Sequence, residues 1–256
     1  MRKPTSWHLL ILTPIFIIIA HDFAIFAHEY AHSFMAWALG DKLHPLAITF
    51  GGTSWINLLL FIHIDENVDY NAIISHGHLT HMAIIALAGP VFANGSLYIV
   101  TLLLLSTKTL QRMTLWFYFI FWINLMKLGN LYDYIPIRTF SPNDDMAHVV
   151  MGFQISAWKI YVFAGYVVAI LIWYFYTHTL IQTYRVINLK STTSRATLMI
   201  ICTAILFGYF GMAGFIGHGD ISHFLSATSF CAIPGIIIAC WPTREWVKRA
   251  LLHQQR

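Results

Sequence analysis

The sequence predicts an all-α polytopic membrane protein with about six transmembrane helices, and two observations carry that expectation. The first is composition. Of the 256 residues, 58% are hydrophobic, only 10% are charged, and the mean hydropathy is +0.65. A soluble domain carries about 25% charged residues. So few charges cannot cover a surface in water, whereas a surface in lipid needs almost none. The second observation is spacing: the apolar residues gather into runs near the ~20 residues needed to cross a hydrocarbon layer.

In chain order, the runs cover residues 9–38, 79–105, 114–136, 157–183, 195–217 and 221–241. Arg2-Lys3 followed by Leu9 to Ala20 has the layout of a signal peptide. However, the apolar stretch continues through Phe26, past His21 and Asp22, without a cleavage site, so it reads as a retained helix. After it, Ala47-Ile48-Thr49-Phe50 and Trp55 to Ile62 flank Gly51-Gly52. Two apolar stretches around a turn signal predict a short membrane-associated β-hairpin over 47–62, with a re-entrant piece or half a helix as alternatives. Asp65, Glu66 and Asp69 mark a wet loop. The third run carries Lys127. Only Gly217 to Asp220 separates the last two, which predicts a tight helical hairpin. Gly208, Gly211, Gly214 and Gly217 suit close helix packing, or less simply a lateral gate. No repeat or soluble domain interrupts the pattern, so residues 1–256 read as one membrane domain.

Charge sets the orientation. With the N-terminus in the cytoplasm, 11 of the 15 basic residues fall inside, among them Arg2, Lys3, Lys108, Arg112, Arg185, Lys190 and Arg256. Lys42, Arg138 and Lys159 fall outside. The positive-inside rule then places both termini in the cytoplasm. The net charge of +4 is scattered between apolar runs, which argues against a nucleic-acid partner. Cys202, Cys231 and Cys240 have no CxxC spacing and read as small apolar core residues.

Chemistry concentrates at His28-Glu29-Tyr30-Ala31-His32, an HExxH motif. Residues four apart share a helix face, so both imidazoles reach one metal ion, and the intervening Glu29 can act on water as a general base. Random order of this composition yields about 0.01 such motifs. Three ionisable side chains within one turn of a membrane helix are also expensive, and by default functional.

The motif in a first membrane helix resembles the site-2 protease group of intramembrane zinc metalloproteases. Ala88-Gly89-Pro90-Val91-Phe92-Ala93-Asn94 is similar to that family's AGPxAN signature, with one extra residue before the Asn. Asn130-Leu131, Ile135-Pro136-Ile137 and Asp144-Asp145 are similar to its NLxxxxPxxxLDG segment, although Leu-Asp-Gly is missing and the gap after Pro136 is longer. The resemblance covers residues 20–150, so 1–150 would form a three-helix protease-like core and 151–256 three further helices without a counterpart. It implies one Zn²⁺ per chain, held by His28, His32 and an aspartate. Asp145 is the first choice for that ligand, Asp133 the alternative and Asp144 the third. It also implies Glu29 as the catalytic base, Asn94 as an oxyanion or substrate donor, and a membrane-embedded or membrane-proximal protein as substrate; an unwound substrate could be received by strand addition at the expected hairpin. With no regulatory domain, control would fall to partners, substrate trimming or loops.

Orientation agrees independently, because the motif, the Gly89-Pro90 signature and Asp145 all fall toward the outer face. Ten of the 14 histidines do so too. His21 and Asp22 precede His28 and Glu29 by seven residues, and either hydrogen-bond the ligands or anchor neighbouring helices. His148 and the clusters His76–His81 and His218–His223 are possible supports for the ligands, or an accessory metal site, against the simpler reading as polar loops. Other classes compete. A membrane zinc transporter would need ligands continuing to the inner face, where His178 is the main candidate. A membrane di-iron oxygenase would group His28 and His32 with His76, His78 and His81. A catalytically inactive protease-like scaffold is the third.

Overall fold

Helix α1 runs unbroken from Ser6 to Ala38, so His21, Asp22 and the HExxH segment share one helix. The computed structural model describes residues 6–61 and 63–253. Arg2, Lys3 and Arg256, which contribute to the charge count, and Ile62, the last residue of the expected hairpin, lie outside the described residues. Gly40 ends the first helix in the left-handed region at φ +83°. Its N–H bonds Trp37 O at 3.1 Å and the Asp41 N–H bonds Ala36 O at 2.9 Å, which is a Schellman cap.

The β-hairpin is not formed, and no strand occurs among the described residues. Thr49 and Asp65 make one isolated antiparallel bridge, and the chain between them winds around a short helix, α2 (Trp55–Leu60). The cause is local hydrogen bonding. Ser54 caps α2 by accepting from the Asn57 N–H, and the Asn57 amide donates to Phe50 O and Gly52 O while accepting from the His63 N–H. These bonds occupy backbone groups that a strand ladder would require. The segment forms a strap in place of the expected hairpin. A second short helix, α3 (Tyr70–Ser75), starts on an Asp69 side-chain cap.

The next span is continuous: α4 (Leu79–Leu87), a π-helical stretch (Ala88–Gly95) and α5 (Ser96–Ser106). After α6 (Lys108–Arg112), α7 (Thr114–Tyr132) ends in a π turn, Asp133–Ile137. Helix α8 (Asp145–Phe153) folds back on α4; a Cβ at Gly152 would collide with Leu79 O and the Ala83 side chain. The remainder comprises α9 (Ala157–Tyr174) with α10 (Leu180–Val186), α11 (Thr192–Thr203) with its π continuation to Tyr209, α12 (Gly219–Ala239), and the short α13 (Glu245–His253).

Five helices are long and apolar enough to cross a membrane: His8–Ala38, Leu79–Ser106, Ala157–Val186, Thr192–Phe215 and Gly219–Ala239. They match five of the six expected runs. The third run, α7, is not among them because Asn124, Lys127 and Asn130 interrupt it. Its environment explains the polarity. Phe117, Tyr118, Phe121, Trp122, Leu125 and Leu128 are all fully buried, and α1, α5 and α9 pack around it. A helix sheathed by helices does not face lipid, so it can hold polar groups that find partners inside.

The glycines of the fifth run divide. Cβ atoms at Gly211 and Gly214 would collide with Ser229 Oγ and Ser222 O of α12, whereas Gly208 and Gly217 have room. Close packing therefore rests on two of the four. Gly214→Leu should separate the last two spans and cost about 1–3 kcal/mol of stability, measurable as a lowered unfolding midpoint in detergent; Gly208→Ala, where a Cβ meets only Ile233 Cδ1 at 4.0 Å, should cost less.

Candidate metal centre

Two turns of α1 and the first turn of α8 meet at one point. His28 Nε2 lies 3.0 Å from His32 Nε2, and each lies 3.3 Å from Asp145 Oδ2. Zinc bonded to nitrogen or oxygen at about 2.05 Å in a tetrahedron requires ligand atoms about 3.3 Å apart. The three donor atoms thus already sit close to the spacing of one tetrahedral face. His28 is 3% exposed and His32 1%, so the centre is shut from bulk water on the helix side. Burial alone would raise the Asp145 carboxyl, but the flanking imidazoles hold it well below the usual carboxylate range, so it stays ionised.

Support for the ligands comes from the second span. The His32 Nδ1–H donates to Ile85 O at 2.6 Å, which leaves the Nε2 lone pair free for a metal. The Asn94 side-chain amide lies 3.0 Å from His28 Nδ1, and its Oδ1 accepts from the buried Lys127 ammonium at 3.1 Å. Asn94, expected as an oxyanion or substrate donor, is fully buried with its amide against the His28 ring. The π-helical stretch explains how it gets there: an i→i+5 turn takes up one extra residue and carries Asn94 round to α1. Gly89 is required by the close approach, since a Cβ there would overlap the ring nitrogens of both His28 and His32. Gly89→Ala should therefore weaken zinc binding by about 10–100-fold with the helical fold intact, as read by metal titration beside circular dichroism; unchanged affinity would contradict the packing.

The rival aspartates are occupied elsewhere. Asp133 pairs with Arg138 through both oxygens, at 2.7 and 3.0 Å. Asp144 lies 2.7 Å from His218 Nδ1 and 3.5 Å from Arg138 Nη1. Arg138 in turn covers the Tyr134 ring at 3.9 Å, and that ring stacks on His28 at 4.5 Å. His218 thus joins the Asp144 network, while His223 packs on Phe215. His21 points away from the centre: its Nε2 bonds the Tyr209 hydroxyl at 2.7 Å and its Nδ1 lies 3.6 Å from Asp22. That pair anchors α1 to the fifth run and does not support the ligands.

A cavity of about 350 Å³ opens on the centre, lined by His28, Glu29, His32, Asp145, His148, Glu66, Tyr70 and Arg138. His148 stacks on Tyr70 at 4.3 Å, and burial pushes its imidazole below the ordinary value. Glu66 and Glu29 line this cavity together. Sequence reasoning assigned Glu66 to a wet loop and passed over Tyr70, Tyr134 and Arg138. The Tyr134–Arg138 spacing of four could have signalled one shared face; nothing local signals Glu66, which is placed by the Thr49–Asp65 bridge and by the Lys42 ammonium donating to its carbonyl.

Fold and site together define a helical protein of the membrane type with a buried two-histidine, one-aspartate cluster beside a glutamate. No family model, curated protein or solved structure matches the chain.

Proposed function

We propose that this chain is an intramembrane zinc metalloprotease that hydrolyses peptide bonds of membrane-embedded or membrane-proximal proteins. The observation that carries this reading is the convergence of His28, His32 and Asp145 within 4.8 Å of one another, with Glu29 in the same polar cavity. Two imidazoles and a carboxylate with an open side form the donor set of hydrolytic zinc sites. The extra residue in Ala88–Asn94 relative to the site-2 protease signature is absorbed by the π-helix, which supports the resemblance on that segment. Helix α7 then counts as a sixth span, enclosed by the other five.

His28, His32 and Asp145 would hold the ion, with Asn94 and Ile85 O fixing the two rings. Zinc there would supply Lewis acidity, lowering the pKa of water toward about 7. Glu29 takes the proton from the attacking water, the water oxygen bonds to the carbonyl carbon, and Glu29 passes the proton to the amide nitrogen as the C–N bond breaks. Arg138 lines the same cavity, with its guanidinium held by Asp133 and Asp144. The peptide must be unwound to enter, since a membrane helix hides its backbone bonds.

The competing classes fit less well. His78 and His81 gather on Asp41 instead of joining His28 and His32, which disfavours a di-iron arrangement. His178 stacks on Tyr174 and bonds Thr177, which makes it a poor step in a transport path. The test is reconstitution of chelator-stripped protein with zinc or iron, against a membrane-anchored peptide substrate. Zinc-dependent cleavage, lost in His28→Ala/His32→Ala, is expected; two irons per chain with no zinc-dependent cleavage would overturn the proposal.

A further inference from the structure

Away from the His28 centre, one other group of ligand-type side chains converges among the described residues. We propose that Asp41, His78 and His81 form a second, independent site for a divalent transition-metal ion such as Zn²⁺. Asp41 Oδ2 lies 2.7 Å from His81 Nδ1, and its Oδ1 lies 3.4 Å from His78 Nδ1. The three side chains can offer ligand atoms within 4.8 Å of one another. The two rings stand 5.0 Å apart between centroids. Imidazole nitrogen with one carboxylate oxygen selects first-row ions such as Zn²⁺ over Mg²⁺ or Ca²⁺, which prefer all-oxygen sites.

The backbone that presents these groups is fixed before any ion arrives. Asp41 follows Gly40 in the Schellman cap of α1, and its own N–H is one of the capping bonds. His78 is the residue before α4: its N–H bonds Ile73 O, and its carbonyl accepts from the Met82 N–H. His81 follows within the first turn of α4. The Asp41 side chain is only 10% exposed, whereas those of His78 and His81 are 49% and 36% exposed. A largely buried carboxylate with both oxygens turned to two accessible imidazoles leaves open positions toward water. Such a site exchanges its ion with the medium.

Its location gives the ion a consequence. The site would tie the outer end of α1, nine residues past His32, to the start of α4, whose Ile85 holds the His32 ring. An ion there would clamp together the two elements that frame the catalytic centre, without belonging to it.

The test counts metal. Tag-free, chelator-stripped full-length protein in detergent is equilibrated with Zn²⁺, dialysed and analysed for bound zinc. Wild type is expected to hold two equivalents. His78→Ala/His81→Ala should hold one, and so should His28→Ala/His32→Ala. Asp41→Asn, which keeps the side-chain shape, should hold one as well and serves if the histidine pair disturbs folding. Two equivalents in both Asp41→Asn and the His78/His81 variant would overturn the proposal, as would a single wild-type equivalent lost in His28→Ala/His32→Ala. A single wild-type equivalent that survives His28→Ala/His32→Ala but disappears in His78→Ala/His81→Ala would uphold this site and sink the protease reading instead.

Discussion

Glu29→Gln is expected to keep its zinc and to lose cleavage of a membrane-anchored substrate by about 10²–10⁴-fold. The three converging donor atoms belong to His28, His32 and Asp145, so changing Glu29 removes no ligand. Glutamine has the same shape as glutamate but cannot accept a proton from water and return it to a leaving amine. The cavity should therefore remain, with the proton shuttle gone. Glu66 supplies the internal control, since it lines the same cavity as Glu29. Glu66→Gln should slow cleavage far less if Glu29 carries the proton. Wild-type turnover in Glu29→Gln would refute the proteolytic mechanism; full loss in Glu66→Gln with little in Glu29→Gln would exchange the two roles.

The second large effect concerns the third ligand. Asp145→Ala should lower zinc affinity by more than about 100-fold, because even groups that only orient a ligand are worth about 10–100-fold. Asp133 provides the contrast. Its carboxylate is engaged by Arg138 at 2.7 and 3.0 Å, so Asp133→Asn should leave zinc content near wild type. What it should lose is stability: breaking a buried ion pair typically costs about 3–5 kcal/mol, and less here because Asp144 stays 3.5 Å from the same guanidinium. Zinc titration and thermal unfolding of the two variants separate a metal ligand from a structural carboxylate. Normal zinc binding by Asp145→Ala would refute its assignment.

Much of this protein was legible locally. Helical spans and the His28–His32 pair depend on periodicity and run length, which a chain shows before it folds: residues four apart meet on any helix. Five of the six apolar runs are helices long and apolar enough to cross a membrane, with ends within a few residues of those expected. Only the tertiary structure places Asp145, and not Asp133, beside His28 and His32. Both are aspartates beyond the same helix, and what separates them is that α8 doubles back onto α4 while Arg138 reaches Asp133 first. The same holds for Asn94, carried behind His28 by a π-helical turn, and for the strap, where one Asn57 side chain outweighs a turn signal. Hydropathy and helical spacing are properties of neighbouring residues. A metal site and a strap are set by contacts between residues dozens of positions apart, and those exist only once the helices have packed.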